Sequence, residues 1–220
     1  MNVVLTGATG MIGQAALIEC LESPVVTKVL SIGRRKLDQE HPKLEQLIHA
    51  DFTDFSPVQD QITAFKPGAC FHCMGVSSLG MNEADYTRLT YDVTASLAEA
   101  IYAANYRASF IYVSGAGTDR SEKGRLMWAR VKGRTENYIL DRGFGAAYAF
   151  RIGAVLPRKG VKSSTGWVNF FYVVGRPFFG LLKQLDSVVT SDQMGQAMIK
   201  LARTQVQSGV VEAAKIKALT

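Results

Sequence analysis

The stretch that decides the fold is the N-terminal run Asn2-Val-Val-Leu-Thr6-Gly7-Ala-Thr-Gly10-Met-Ile-Gly13. An apolar, β-branched run leads directly into three glycines spaced three residues apart, and a helix-type pattern follows. In that order, the first glycine permits a tight turn, the second lets a phosphate approach bare backbone, and the third lets the helix pack against the strand. The first N–H groups of the helix then face an anion. The run predicts a dinucleotide-binding turn with these contact residues: Gly7, Thr9, Gly10, Met11, Ile12 and Gly13.

Length and composition favour one globular domain. The chain has 220 residues, a length that suits one α/β domain and leaves few residues for a second full domain. Of these residues 47% are hydrophobic and 20% are charged, which is typical of a globular protein with a core. The net charge of +6 suits anionic small molecules, and no block of lysine and arginine is long enough to indicate nucleic acid. Because the first strand begins at residue 2, we expect no signal peptide and predict a cytoplasmic protein.

Apolar strand-type runs alternate with helix-type patterns along the rest of the chain. After the first strand, strands are predicted at about 25–32, 46–50, 69–74, 109–113 and 146–152, and helices at 82–105 and 124–141, with Ser191 as the N-cap of a further helix. Such apolar runs suit parallel strands buried on both faces. We predict an α/β fold, a Rossmann-type doubly wound parallel sheet with helices on both faces. It forms a single domain over residues 1–220 with a small C-terminal portion that covers the substrate.

The predicted substrate-covering portion is a short insertion at about 157–190, which contains an aromatic-rich segment at 167–185. It follows the sixth predicted strand, where ligands lie beyond the carboxyl ends of strands. Arg176, Pro177 and two glycines interrupt the segment, so we predict no transmembrane span. Core packing, an apolar substrate lid, a dimer contact and a membrane-surface patch all remain open for it.

The three cysteines do not form a disulfide framework. Cys70, His72 and Cys73 have a spacing that suits a metal, but they lie in a run that is typical of a buried strand. No second ligand pair occurs elsewhere in the sequence. We therefore predict no metal site and reduced thiols in the core.

Several motifs stand in the order found in short-chain dehydrogenases/reductases. They are the glycine turn at 6–13, the Asp51 element, Gly75, the strand end Val113-Ser114-Gly115, Lys132 and Arg151-Ile-Gly153. Over roughly residues 1–205 the chain resembles the atypical and extended branch of that superfamily, which carries the TGxxGxxG motif. Within it, the chain is similar to Tat-interacting-protein-like and nucleoside-diphosphate-sugar-epimerase-like proteins. The resemblance implies an NAD(P)-binding protein and, as activity, an oxidoreductase.

The end of the second predicted strand bears on the choice of cofactor. Folds that prefer NAD usually place an acidic residue there, whereas this chain has Arg34 and Arg35. Arginine binds a phosphate through paired charge-assisted hydrogen bonds, so we expect NADP, with NAD as the alternative. A solvated basic loop is the other interpretation.

The resemblance assigns further residues to the cofactor site: Asp51 and Phe52 near the adenine, Cys73, Met74 and Gly75 along the cofactor, and Lys132 and Arg151. For Asp51, a role in capping a helix or turn near Pro57 is equally open.

The resemblance also implies a catalytic serine, tyrosine and lysine, with the last two four residues apart on one helix. Lys132 is present, but the tyrosine position holds Trp128, whose indole N–H cannot exchange a proton near neutral pH. Ser114 is the candidate serine, although Gly115 occupies the place of the second serine of many relatives. Four side chains could replace the tyrosine, and spacing favours none of them: Tyr86, Tyr91, Asp119 and Tyr138.

Two functions follow from this set of residues. One is an oxidoreductase that passes hydride to an acceptor such as a flavin or quinone and draws its proton from solvent. The other is a non-catalytic sensor or scaffold that binds nucleotide. A sugar-nucleotide epimerase or dehydratase is less favoured, because the tyrosine is missing and only about seventy residues follow Arg151. The substrate is not indicated, and a homodimer remains open.

Overall fold

The computed structural model describes residues 1–159 and 188–220. Within them, seven strands form one sheet: β1 (Asn2–Thr6), β2 (Lys28–Gly33), β3 (Leu44–Ile48), β4 (Ala69–His72), β5 (Ser109–Gly115), β6 (Ala146–Ile152) and β9 (Gly209–Glu212). All neighbouring pairs are parallel, in the order β3-β2-β1-β4-β5-β6-β9. The order reverses between β1 and β4, and in doubly wound sheets ligands bind beyond the carboxyl ends of strands at that point. The predicted Rossmann-type parallel sheet is confirmed.

The described helices cover both faces of this sheet. They are α1 (Met11–Glu22), a 3₁₀ turn (Ser56–Val58), α2 (Gln59–Phe65), α3 (Glu83–Thr87), a π-helical segment (Arg88–Asp92), α4 (Val93–Ala104), α5 (Met127–Asp141), α6 (Ser191–Thr204) and α7 (Ala213–Ala218). Alternate residues of β1 enter two separate cores, because successive side chains of a strand point to opposite faces. Val3 and Leu5 pack with α1 and α6, whereas Val4 packs with α2 and α4.

Strand boundaries differ from the predictions by a few residues. β2 begins at Lys28 rather than at residue 25, because Val26 N–H donates to Ser23 O in a turn. β3 lies two residues earlier than predicted, and β4 ends at His72 rather than at residue 74. The fifth strand is longer than predicted and extends to Gly115.

Helix boundaries differ in the same way. α5 begins at Met127 rather than at residue 124, because the Asp119 carboxylate accepts the N–H groups of Lys123 and Gly124 and keeps them in a loop. The predicted helix at 82–105 is confirmed, with a π-helical segment inside it. The predicted N-cap at Ser191 is wrong by one residue, since Thr190 is the N-cap of α6 and donates its N–H to Gln193 Oε1 at 3.1 Å.

A second, two-stranded parallel sheet pairs β7 (Ala154–Leu156) with β8 (Val188–Thr190). These strands border residues 160–187, which include the predicted aromatic segment at 167–185 and most of the predicted insertion at 157–190. That segment lies outside the described residues. No helix of the described residues is long and apolar enough to cross a membrane.

Two glycines of the β1–α1 turn are required by contacts within the protein. Gly7 has φ +77°, and a Cβ there would lie 2.7 Å from the carbonyl carbon of Cys73. A Cβ on Gly13 would lie 2.0 Å from the carbonyl oxygen of Gly7. Gly10 is different, because a Cβ there would meet only the Gly7 carbonyl oxygen, at 3.4 Å. Close packing therefore excludes a side chain at Gly7 and Gly13, whereas a Cβ at Gly10 would make only an ordinary contact with the Gly7 carbonyl oxygen.

We expect Gly13→Ala to destabilise the fold by about 1–3 kcal/mol, because the added methyl group meets backbone that cannot move alone. Gly10→Ala is the matched control and should change the free energy of unfolding by less than about 1 kcal/mol. Urea unfolding followed by circular dichroism measures both. Equal stability of the two variants would contradict the packing described for Gly13.

Candidate functional site

A cavity of about 240 Å³ lies beyond the carboxyl ends of β1, β2 and β4, where the strand order reverses. Three chain segments supply most of its lining: the glycine turn at 7–10, the end of β2 at 31–35 and the stretch after β4 at 73–76. Leu37, Phe52 and Leu89 are the other described residues that line it, and Leu89 belongs to the π-helical segment. The structure thus brings together residues that are far apart in the chain.

The N-terminal end of α1 forms one wall of this cavity. Gly10 is its N-cap and donates its N–H to Gly7 O at 2.9 Å, which closes the turn. No side chain of the described residues caps this end, and its first turn carries no acidic residue. The first N–H groups of a helix have no intrahelical acceptor, and the helix dipole is positive there. This end of α1 can therefore bind an anion.

Arg34 and Arg35 are the charged residues that line the cavity. Both are exposed, and neither forms an ion pair or hydrogen bond within residues 1–159 and 188–220. The cavity lining contributed by these residues contains no aspartate or glutamate. Two guanidinium groups without partners can bind a phosphate dianion through paired hydrogen bonds.

Asp51 and Phe52 differ in whether they line the cavity. Phe52 lines the cavity, whereas the Asp51 carboxylate accepts hydrogen bonds from Thr53 N–H (2.9 Å) and Thr53 Oγ1 (2.6 Å). The hydrogen bonds from Thr53 lower the pKa of Asp51, which is exposed. In this structure Asp51 caps a local turn, the second of its two interpretations, although the turn involves Thr53 and not Pro57.

The residues predicted after β4, Cys73, Met74 and Gly75, line the cavity. Met11, Ile12 and Gly13 do not line it, and they form the first turn of α1 behind Gly10.

Trp128 and Lys132 lie one helical turn apart on α5, at the end of β5. The indole ring packs over two glycines, since a Cβ on Gly115 or Gly117 would lie 3.7 or 3.6 Å from it. Lys132 Nζ donates to Tyr112 Oη at 3.3 Å. Burial lowers the pKa of Lys132 to about 8, although Glu136 acts in the opposite direction. A lysine with this pKa is partly neutral just above neutral pH.

Ser114 and Arg151 do not line the cavity, and both form hydrogen bonds to Glu136. Ser114 Oγ donates to Glu136 Oε1 at 2.5 Å, and Arg151 binds both oxygens of the same carboxylate at 3.0 and 2.7 Å. The Glu136 side chain is fully buried. Its carboxylate therefore accepts hydrogen bonds from the Ser114 hydroxyl and from two N–H groups of Arg151. Sequence reasoning missed Glu136; the available signal was a glutamate one turn after Lys132 on the buried face of the helix.

The four side chains considered as substitutes for the tyrosine do not line the cavity. The Asp119 carboxylate accepts hydrogen bonds from the Ser121 hydroxyl and from the N–H groups of Ser121, Lys123 and Gly124, and these bonds lower the pKa of its carboxyl. Tyr138 donates to Glu99, which also pairs with Arg142. Tyr91 stacks edge-on against Tyr138, and Tyr86 is buried.

His72 and Cys70 belong to the interior rather than to a metal site. Thr94 Oγ1 donates to Thr90 O (2.6 Å), so it accepts from His72 Nε2 (3.1 Å), and His72 Nδ1 accepts from Thr6 Oγ1 (2.7 Å). Burial lowers the pKa of His72 to about 3, which keeps it neutral. Cys70 is a fully buried core thiol whose pKa is raised by burial. In the described part of the chain, no group of three or more histidine, cysteine, aspartate or glutamate side chains is arranged to hold a metal ion.

Comparison with known proteins agrees with this geometry. Residues 3–121 match the NAD dependent epimerase/dehydratase family. The chain is 27% identical to Protein HTATIP2 of Rattus norvegicus over 182 residues, which is 82% of this chain and 71% of the relative. It is also 27% identical to the mitochondrial Protein FMP52 of Chaetomium globosum over 217 residues, or 96% of this chain and 88% of the relative.

Among solved structures, the enzyme WbmH of Bordetella bronchiseptica in complex with NAD+ is similar with a TM-score of 0.71 and 19% identity, covering 96% of this chain and 75% of that one. A short-chain dehydrogenase/reductase of Burkholderia thailandensis has a TM-score of 0.67 at 17% identity, covering 98% and 92% of the two chains. At such identities these likenesses support the fold.

The lowered pKa of Lys132 gives the protein a pH-dependent stability. Between about pH 8 and 10.5 the unfolded chain holds a proton on this lysine that the folded protein has released. The contribution of Lys132 to the free energy of unfolding therefore rises with pH across this window, whereas the cysteines, whose pKa values burial raises, make the opposite contribution. The slope of the free energy of unfolding against pH should therefore be lower in Lys132→Met than in wild type. Urea unfolding at several pH values measures it. The exposed-site control Lys123→Met should keep the wild-type slope; an equal slope in Lys132→Met would contradict the burial of Lys132 in solution.

Proposed function

The chain belongs to the NAD dependent epimerase/dehydratase family, and from its geometry we propose that it binds NADP(H) in preference to NAD(H) in the cavity beyond β1, β2 and β4. The observation that carries the preference is the pair Arg34 and Arg35, which lines the cavity without partners in the described residues. NAD-preferring folds have a carboxylate at this strand end to bond the ribose hydroxyls, and a carboxylate would repel a 2′-phosphate.

The end of the cavity formed by the start of α1 also suits NADP(H). The uncapped first turn of α1 offers N–H groups to a pyrophosphate, and Gly10, which lines the cavity, presents backbone without a side chain. Phe52 and Leu37 supply apolar surface beside the arginine pair, which suits an adenine ring.

For the reaction, we propose an oxidoreductase that reduces a planar, apolar acceptor of the quinone or flavin class. Bound nicotinamide supplies the hydride. Lys132 holds the cofactor ribose in this proposal, and Trp128 offers a flat apolar face but no proton. An acceptor of this class takes its proton from water, so no positioned acid is needed. Exposed Val76 in the cavity lining and exposed Leu126 beside α5 favour an apolar acceptor.

A non-catalytic nucleotide-binding sensor or scaffold is the second candidate, and two observations favour it. Trp128 stands where the family has its proton-relaying tyrosine, and the Ser114 hydroxyl donates to Glu136 rather than facing the cavity. Both changes remove groups that polarise and protonate a carbonyl substrate.

We propose that residues 1–220 form one domain; the predicted substrate-covering insertion at about 157–190 lies mostly outside the described residues. A cytoplasmic location stays a prediction, because curated fungal relatives are named mitochondrial. A homodimer also stays a prediction.

The cofactor preference is tested by calorimetric titration of NADPH and NADH into Arg34→Ala and Arg35→Ala. Each variant should bind NADPH about tenfold more weakly, because a charge-assisted hydrogen bond is lost, and bind NADH within about twofold of wild type. Arg107→Ala, an exposed arginine at the opposite end of the sheet, is the matched control and should change neither affinity. Equal affinity of wild type for NADPH and NADH would refute the preference.

The reaction is tested by mixing the protein with NADPH and a panel of quinones, flavins and carbonyl compounds while following nicotinamide absorbance. We expect a quinone or a flavin to oxidise NADPH in the presence of the protein, and carbonyl compounds to leave NADPH unoxidised. Trp128→Tyr restores a phenol one turn before Lys132, so it should add carbonyl reduction. Binding of NADPH without oxidation by any acceptor would reject the oxidoreductase and favour the sensor.

A further inference from the structure

Gln46 lies in the middle of the edge strand β3 and does not line the cavity, yet its side chain makes three hydrogen bonds to the loop after β2. Leu37 N–H donates to Gln46 Oε1 at 2.7 Å. Gln46 Nε2 donates to Leu37 O at 3.2 Å and to Gln39 O at 3.3 Å. The carboxamide therefore pairs with the main chain of Leu37 in the way that a neighbouring strand would.

This pairing fixes one end of the loop that carries the two arginines. At the other end, Gly33 closes β2, and its carbonyl oxygen accepts the N–H of His49 at 3.0 Å. Only Arg34, Arg35 and Lys36 lie between the two fixed points. So short a connection with both ends held has few backbone conformations, which keeps the arginine Cα atoms at the cavity edge while their side chains stay free.

We propose that Gln46 is a positioning residue for cofactor selectivity, which presets the Arg34–Arg35 loop for a 2′-phosphate without touching the ligand. The inference rests on the proposed role of the two arginines. A ligand that binds a preset loop does not have to order it, whereas a ligand that lacks the 2′-phosphate does not use the arginines and gains nothing from the order. Loss of the Gln46 carboxamide should therefore weaken binding of 2′-phosphorylated ligands selectively.

The test uses calorimetric titration of 2′,5′-ADP and of 5′-AMP into wild type and Gln46→Leu. We expect the affinity for 2′,5′-ADP to fall about tenfold and that for 5′-AMP to stay within about twofold. Gln59→Leu is the matched control, because its amide also donates to a backbone carbonyl, Ala100 O at 3.1 Å, but on α2 and away from the cavity lining. An unchanged ratio of the two affinities in Gln46→Leu overturns the inference.

A second measurement does not depend on the folding of the variant. In the wild-type protein, amide hydrogen exchange should be slower at Leu37 than at Arg35, because only the Leu37 N–H has a side-chain acceptor on β3. Fast exchange at Leu37 also overturns the inference. If Arg34→Ala and Arg35→Ala leave the 2′,5′-ADP to 5′-AMP ratio unchanged, the proposed phosphate site itself fails. If Arg34→Ala and Arg35→Ala lower this ratio of affinities and Gln46→Leu leaves it unchanged, only the proposed role of Gln46 fails.

Discussion

The contact on which the site depends is between two stretches of bare backbone, the Gly7 carbonyl and the first turn of α1 at Gly13. A methyl group at Gly13 would stand 2.0 Å from that oxygen, so α1 can start where it does only if no side chain intervenes. Gly7 in turn lies against the backbone of Cys73 and Met74 after β4. These contacts bring the start of α1 to the place where the strand order reverses. An anion-binding helix end and the ends of β1, β2 and β4 therefore share one cavity.

The two halves of the predicted site differ in how far their side chains are free for a ligand. In the half beyond β2, Arg34 and Arg35 have no partner in the described part of the chain, and their loop is held by Gln46. In the half beyond β5, Ser114 is bound to Glu136, and Trp128 packs over Gly115. The first half suits recognition of a charged ligand. The second half retains Lys132 as the group whose charge changes near physiological pH.

The sequence predicted the sheet and the cavity well because both follow from local patterns. The glycine spacing at 7–13 and the apolar strand runs depend on neighbours in the chain. The edge elements β9 and α7 and the β7–β8 pair were not predicted, since their strands are short and gain stability from distant partners.

The hydrogen-bond partners of the side chains were harder to predict than the places of the residues in the fold. The resemblance to short-chain dehydrogenases/reductases implied a catalytic role for Ser114 and a cofactor role for Arg151. In the structure both are bound to Glu136, which lies 22 and 15 residues away from them. Asp51 similarly bonds Thr53 instead of lining the cavity. Such contacts depend on which side chains the fold brings within hydrogen-bond distance, and a motif alone does not specify that.

The most direct test of the account is an NMR titration of the ¹⁵N-labelled protein with NADPH, observing the backbone amides of the β1–α1 turn. We expect the amide signals of Gly10, Met11 and Ile12 to shift together and to saturate with the binding constant measured by calorimetry. Amide signals in this turn that stay unmoved at saturating NADPH would contradict it.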